Sequence, residues 1–145
     1  MKCTHDVYLA GPTFTTADRL WNKELGLVLE DHYGLTVFLP QRDVEQSGAS
    51  TPEGARQIFL SRRQGIALSR CVLACLDGAD ADSGACWELG YAHGLGHATY
   101  WYRTDSRGVG GVPGGVNAVL SGGAKRVAGA SIDAIARNFI HGVTV

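Results

Sequence analysis

The sequence lacks a strong excess of charge and lacks any long apolar run. Only 19% of its 145 residues are charged, and the formal net charge is −1. A chain so close to neutrality is not expected to carry a basic surface for the phosphates of nucleic acid. No apolar run approaches a membrane-spanning length, and the first residues form no signal-peptide pattern. We therefore expect a cytoplasmic protein with no nucleic-acid or membrane partner.

The motifs that hold metals and nucleotides are also scarce. The four cysteines form no CxxC pair, so we expect reduced thiols in a core. There is no GxxxxGK[ST] loop for a nucleoside triphosphate and no GxSxG elbow for a serine hydrolase. His93 and His97 have a spacing that can bind zinc, but Gly94 and Gly96 loosen that helix. We predict neither a metal nor a cofactor.

The sequence does contain short apolar runs, typical of strands, that alternate with segments in which apolar residues recur at helical spacing. Strands are predicted over residues 7–10, 35–39, 71–76 and 98–102, with a last short strand over 143–145. Helices are predicted from Thr15 or Thr16 to near Gly34, from Thr51-Pro52 onward, after Asp82-Ser83, and over residues 131–140. Residues 103–116 form a glycine-rich loop. The pattern predicts one α/β domain over residues 1–145 with a mainly parallel sheet.

Carboxylates cluster where the third predicted strand ends and a helix begins. Asp77, Asp80 and Asp82 lie in this turn, and Glu88 follows one turn into the helix. Parallel sheets bind ligands beyond the carboxyl ends of their strands, where residues 11–14 and 41–43 should also lie. Carboxylates there suit either a metal or attack on the anomeric carbon of a glycoside. Glu88 fits the role of that nucleophile.

Five segments then resemble the nucleoside 2-deoxyribosyltransferase family, in the family's order. They are residues 8–14 (YLAGPTF), 38–43 (FLPQRD), 76–92 (LDGADADSGACWELGYA), 102–107 (YRTDSR) and 116–117 (VN). The resemblance implies a flavodoxin-like or Rossmann-like doubly wound fold. It also implies exchange of the base of a 2′-deoxynucleoside for another free nucleobase, within nucleotide salvage. The family works without a metal, through a covalent deoxyribosyl-glutamate and with retention of configuration.

The resemblance further implies a role for each matching residue. Glu88 would be the nucleophile, Tyr8 would hold and polarise it by a hydrogen bond, and Asp82 would grip the sugar hydroxyls. The implied substrate-binding residues are Gly11, Phe14 packing on the base, Gln41 reading its polar edge, Asp43, Asp77, which mainly shapes the turn, and Asn117. Asn117 would reach the site of a neighbouring subunit, so a homo-oligomer is expected.

Two positions keep other functions open. Related hydrolases of deoxynucleoside 5′-monophosphates tend to have serine where this chain has Asp82, and a carboxylate would repel phosphate. Arg62 stands where the family usually has an aspartate that handles the proton of the base, and a guanidinium gives up no proton at neutral pH. Either Arg62 faces solvent while another group such as Asp43 serves the base, or specificity or activity is altered. Arg62 could also serve a nucleotide hydrolase as a phosphate-binding cation, or mark a non-catalytic nucleoside-binding module. Arg70, which replaces another common aspartate, is interpreted as structural.

Overall fold

The computed structural model describes residues 2–44, 48–108 and 115–143, in which strands alternate with helices. In chain order the elements are β1 (His5–Ala10), α1 (Thr16–Leu27), which continues as a π-helical segment (Val28–His32), β2 (Val37–Phe38), α2 (Pro40–Asp43), α3 (Pro52–Ala67), β3 (Ser69–Cys75), α4 (Ser83–Gly94), β4 (Ala98–Tyr102), α5 (Ala118–Gly123), β5 (Lys125–Arg126) and α6 (Ile132–Val143). None of the helices in these ranges is both long and apolar enough to cross a membrane.

The five strands form one sheet in the order β2-β1-β3-β4-β5, and every pairing is parallel. Tyr8 lies in the middle of this sheet, opposite Phe38 on one side and Val72 on the other. The strand order reverses beside β1, which makes the crevice between the ends of β1 and β3 the expected ligand site. The predicted flavodoxin-like, doubly wound single domain is confirmed.

Two apolar layers sandwich the sheet because successive strand residues face opposite sides. On one side, α1 and α6 pack against alternate strand residues such as Val7, Leu9 and Leu73. On the other side, α3 and α4 cover the intervening strand residues, among them Tyr8 and Val72. Each fully buried aliphatic or aromatic side chain contributes about 1.5–3 kcal/mol. The polar end of Tyr8 is thereby directed into the layer that contains α3 and α4.

Three helices begin where the sequence predicts them, because side chains cap their free N–H groups. Thr15 and Asp18 form the reciprocal capping box of α1. Thr51 accepts a hydrogen bond from the backbone of Gly54, with proline at the first position of α3. Asp82 Oδ2 accepts from the Ala85 N–H at 2.8 Å and begins α4.

The structure also corrects the predicted boundaries. Strand β2 is limited to two residues because the chain turns into α2 directly after Leu39, where Asp43 accepts the Leu39 N–H at 2.7 Å. Helix α5 and strand β5 were not predicted, since glycines end α5 and β5 has only two residues. The predicted strand over 143–145 is wrong at Val143, which belongs to α6. Residues 144–145, and 109–114 of the predicted loop, lie outside the described residues.

Candidate active site

Glu88 lies on the face of α4 that packs against the sheet. The buried residues of this helix are Ala85, Glu88, Leu89 and Ala92, which is the spacing of one helix face. Its side chain points toward the sheet from the second turn after the Asp82 cap, and only 3% of Glu88 is exposed. A carboxylate is therefore held inside the apolar layer, at the end of the sheet where ligands bind in this fold.

Both hydrogen bonds to Glu88 are made to the same oxygen. Tyr8 donates its hydroxyl proton to Glu88 Oε1 at 2.7 Å, and Arg62 Nη1 donates to Oε1 at 2.9 Å. Glu88 Oε2 is buried and has no hydrogen-bond partner among the described residues. Burial raises the pKa of Glu88, an effect that the Arg62 charge and the Tyr8 hydrogen bond partly oppose. One oxygen is thus fixed, while the other retains its lone pairs for chemistry.

Tyr8 is positioned by a stack of neighbouring groups. Its ring lies parallel to that of Phe38, with 5.2 Å between centroids. Helix α3 approaches Phe38 so closely that a Cβ at Gly65 would lie 2.6 Å from the phenyl ring, which only glycine avoids. Burial, together with the charge of Glu88, raises the pKa of Tyr8 far above its ordinary value. Tyr8 therefore remains a neutral hydrogen-bond donor throughout the working pH range.

Arg62 reaches Glu88 from α3 instead of facing solvent. The side chain is 22% exposed, and its ion pair with Glu88 spans 2.9 Å. Its Nε is buried, and no described residue forms a hydrogen bond with it. The possibility that Arg62 faces solvent, left open by the sequence, is wrong. The structure brings three side chains together, Tyr8, Arg62 and Glu88, which we call the nucleophile site.

An open acidic pocket lies at the start of α4, where the helix cap Asp82 forms part of its lining. Phe14 and Asp82 line it together with Pro12, Asp18, Asp77, Gly78, Asp80, Asp105 and Arg107. The Phe14 ring is 76% exposed and available for contact with a flat ligand. Asp82 uses Oδ2 to cap α4, and no hydrogen bond joins its Oδ1 to any described residue. The charge of Asp82 also contributes to raising the pKa of Glu88.

Gln41, Asp43 and Gly11 are engaged in contacts with other protein groups and are not among the residues that line the acidic pocket. Gln41 donates to the Arg19 carbonyl at 2.8 Å and accepts from Asn22 at 3.2 Å. Both oxygens of Asp43 are used, since Oδ2 accepts from Leu39 and Oδ1 pairs with a neighbouring arginine at 2.9 Å. A Cβ on Gly11 would lie 3.1 Å from that of Cys75, so this position requires a small residue.

The loop after β4 is fastened to the turn after β3 by Asp77, which was expected to shape this turn, and by Arg103 and Asp105, which were not singled out. Asp77 accepts hydrogen bonds from the Thr104 N–H, the Thr104 hydroxyl and the Asp105 N–H, at 2.5–2.9 Å. The buried Arg103 donates to the carbonyls of Leu76, Gly78, Asp105 and Arg107. We call Asp77, Arg103 and Asp105 the loop clamp. The motif at 102–107 marked this segment, but an arginine that binds only carbonyls has no spacing signature.

Asn117 lies at the start of α5, and His93 and His97 do not lie on one helix. Asn117 is exposed and caps α5 by accepting from the Val119 N–H at 2.9 Å. Its predicted reach into a neighbouring site stays a prediction. His97 lies beyond Gly94, the last residue of α4, so it does not share a helix with His93. Within the described ranges, no three His, Cys, Asp or Glu side chains are arranged to hold a metal ion.

A buried carboxylate at the end of a parallel sheet, oriented by a tyrosine and flanked by an open polar pocket, is the arrangement of an enzyme site. The family model for nucleoside 2-deoxyribosyltransferase matches residues 7–136. The chain therefore belongs to the nucleoside 2-deoxyribosyltransferase family, an enzyme family that acts on nucleosides.

Solved structures share the fold. A conserved protein of Enterococcus faecalis V583 superposes with a TM-score of 0.78 at 23% identity, covering 94% of this chain and 98% of its own. The 2-deoxyribosyltransferase of Bacillus psychrosaccharolyticus gives 0.67 at 23% identity, covering 82% of each chain. That of Leishmania mexicana gives 0.69 at 20% identity, covering 94% of this chain and 97% of its own. No match to the chain is found among curated proteins.

Proposed function

We propose that this protein exchanges the base of 2′-deoxynucleosides through a covalent deoxyribosyl-Glu88 intermediate. The observation that carries the proposal is the asymmetry of the Glu88 carboxylate. Oε1 accepts from Tyr8 and Arg62, whereas the buried Oε2 has no partner in the part of the chain that the structure describes. Membership of a family that acts on deoxynucleosides and nucleobases supplies the substrate class.

The proposed reaction has two displacements at the anomeric carbon. Oε2 attacks C1′ on the face opposite the base, and the bond from C1′ to the base nitrogen breaks through an oxocarbenium-like transition state. A second base then attacks C1′ and releases Glu88, so two inversions give net retention. Tyr8 keeps the carboxylate oriented throughout. No metal or cofactor is needed.

The remaining side chains are assigned to binding. Asp82 Oδ1, which lacks a partner in the described chain, would accept a hydrogen bond from a sugar hydroxyl. Phe14 would pack on the base, and Gln41 would read its edge after exchanging its present bonds to Asn22 and Arg19. We expect Asn117 to complete the site of a neighbouring subunit in a homo-oligomer.

Free nucleosides are proposed as substrates in preference to 5′-monophosphates. The acidic pocket at the start of α4 is lined by Asp18, Asp77, Asp80, Asp82 and Asp105, a concentration of charge that repels phosphate. Its one lining arginine is paired with Asp105 at 2.6 Å. The charge of Arg62 is already offset by Glu88, with which it pairs at 2.9 Å.

The test is to incubate a 2′-deoxynucleoside with a second free base and to separate the products by chromatography. The proposal expects the exchanged deoxynucleoside, and Glu88→Ala should abolish it. Glu24→Ala is the matched control, because Glu24 is an exposed glutamate of α1 outside the acidic pocket and its variant should retain exchange. Free base and deoxyribose without exchange would indicate a hydrolase. Calorimetric binding without turnover would indicate a non-catalytic module, and activity retained in Glu88→Ala would remove its role.

A further inference from the structure

Arg62 is the sole cation in contact with Glu88 among the residues that the structure describes. An arginine carries five N–H donors and no acceptor, and it keeps its proton at any working pH. Only one of these donors, on Nη1, is bonded to Glu88, while the buried Nε has no partner. The guanidinium therefore has unused donors next to the nucleophile, and it cannot act by giving a proton away.

In the proposed displacement, negative charge passes from Glu88, which is bonded to this guanidinium, to the departing base. When Glu88 Oε2 bonds to C1′, the carboxylate becomes a neutral ester and can no longer form an ion pair with Arg62. At the same moment the bond from C1′ to the base nitrogen breaks, and its electron pair stays on the base. An unprotonated base is then an anion, which the aspartates of the acidic pocket disfavour and which the positive charge of Arg62 can offset.

Resting on the proposed function, we propose that Arg62 pairs with Glu88 in the resting enzyme and then with the departing base, which leaves as an anion. The preferred substrates are consequently deoxynucleosides whose base is stable as an anion and presents carbonyl acceptors, the uracil and thymine class. Cytosine, similar in shape, has a less stable anion because an amine replaces one of the two carbonyl groups.

The step balances without proton transfer from the enzyme. The C1′–Oε2 bond forms, the C1′–N1 bond breaks with its electron pair on N1, and water later supplies the proton of the released base. The accepting base gives its N1 proton to water before it attacks C1′, and the pair of the broken C1′–Oε2 bond returns to Glu88. Arg62 stays protonated in every state.

A purely positioning role for Arg62 makes a different prediction. If Arg62 only orients Glu88, its loss would slow all substrates by one common factor. If it stabilises the departing anion, the loss depends on the leaving base, because a poorer leaving group carries more charge in the transition state. The proposed role also requires a positive charge at this position, so Arg62→Lys should retain part of the rate that Arg62→Gln loses.

The experiment measures kcat/KM for base release from 5-fluoro-2′-deoxyuridine, 2′-deoxyuridine, thymidine and 2′-deoxycytidine. The wild-type rate should fall in that order. Arg62→Gln should lower the rate with thymidine by about 10²–10³-fold, the usual cost of losing one electrostatic donor to a developing anion. The loss should be smaller with the 5-fluoro substrate, and Arg62→Lys should recover part of it. Arg62→Asp introduces a group able to donate a proton and should weaken the dependence on the leaving base.

The outcomes separate the two proposals. No exchange and no hydrolysis by the wild type with these four nucleosides or with 2′-deoxyadenosine and 2′-deoxyguanosine would contradict the proposed function itself, whereas turnover of the purine nucleosides alone would overturn only the further inference. Turnover in which 2′-deoxycytidine equals 2′-deoxyuridine, or an equal loss for all substrates in Arg62→Gln, would overturn only the role of Arg62. Circular dichroism confirms that each variant is folded, and the charge-conserving lysine variant keeps the test valid if glutamine disturbs the helix.

Discussion

The nucleophile site and the loop clamp both contain carboxylates at the same edge of the sheet, but these carboxylates differ in how their oxygens are hydrogen-bonded. Asp77 in the loop clamp accepts three hydrogen bonds, which occupy both of its oxygens. Glu88 in the nucleophile site accepts two, both on Oε1, and its Oε2 has no partner among residues 2–44, 48–108 and 115–143. Buried polar atoms are normally satisfied, so an exception needs an explanation. The proposed attack of Oε2 on the sugar supplies one for Glu88, whereas both oxygens of Asp77 are occupied in joining a turn to a loop.

The pKa values of one carboxylate in each region are also shifted in opposite directions. Burial raises the pKa of Glu88, whereas hydrogen bonds from Arg107 hold the pKa of Asp105 well below its usual range. The contribution of Glu88 to stability is therefore greatest below its ordinary pKa and is lost as pH rises through the raised value. That of Asp105 is present above its ordinary pKa and is lost as pH falls through the lowered one. Because attack needs ionised Glu88, activity should rise with pH through the raised value.

The largest effect is expected from a pair of matched amide substitutions, one in each region. Glu88→Gln removes the nucleophile and should lower exchange by about four orders of magnitude or more. Asp77→Asn keeps the shape of the loop clamp but loses acceptor charge, and should keep most of the activity of the folded protein. Chromatographic exchange assays on both variants measure the contrast. Equal losses in the two variants would erase the distinction between the regions.

The next effect is a loss of stability in the loop clamp. Arg103→Met removes hydrogen bonds to the carbonyls of Leu76 and Gly78 and to two carbonyls of its own loop. We expect the free energy of unfolding to fall by about 2–4 kcal/mol, because buried acceptors are left without donors. Urea unfolding followed by circular dichroism measures this change. An unchanged midpoint would mean that the clamp does not stabilise the fold.

A smaller effect is expected in the nucleophile site from Tyr8→Phe. This change keeps the ring stacked on Phe38 but deletes the hydrogen bond to Glu88 Oε1. We expect kcat/KM to fall by roughly tenfold, the equivalent of about 1.4 kcal/mol and one hydrogen bond to a charged group. Since that bond lowers the pKa of Glu88, the acid limb of the pH profile should move to higher pH. A full pH profile of both proteins tests this, and an unmoved limb would argue against the contact.

The smallest effect is predicted for an ion pair that belongs to neither region. Arg70 contacts Asp6 at 3.4 Å, and its side chain is 73% exposed. Exposed pairs of this kind contribute little, so Arg70→Ala should change the free energy of unfolding by less than about 0.5 kcal/mol. Exchange activity should also stay the same. A loss comparable to that of Arg103→Met would mean that surface charge, and not the clamp, dominates stability.

The fold was largely predictable from the sequence because its signals are local. Apolar runs, the capping residues Thr15, Thr51 and Asp82, and Pro52 each mark an element by itself. Helix α5 and strand β5 escaped prediction because they are short and glycine-rich or exposed, so neither periodicity nor burial identifies them. The length of β2 was overestimated because Leu39 is buried and apolar like a strand residue, although it is the residue directly before α2.

The members of the candidate site were predictable, and so was one of their contacts. Periodicity alone does not show that Tyr8 and Glu88 meet across 80 residues of chain, but the family resemblance implied the hydrogen bond between them, and the structure contains it. The direction of Arg62 depends on how α3 packs against α4, which is a tertiary property. The carbonyl contacts of Arg103 likewise depend on two loops that come together only in the folded chain.

The central claim is that Glu88 becomes covalently bound to the sugar. The most direct measurement is to mix the enzyme with a 2′-deoxynucleoside in the absence of an accepting base, quench rapidly in acid, digest, and identify modified peptides by mass spectrometry. We predict a deoxyribosyl group on the peptide that contains Glu88, which disappears when a second base is added before the quench. Exchange activity without any adduct at Glu88, or with the adduct on another residue, would contradict the claim.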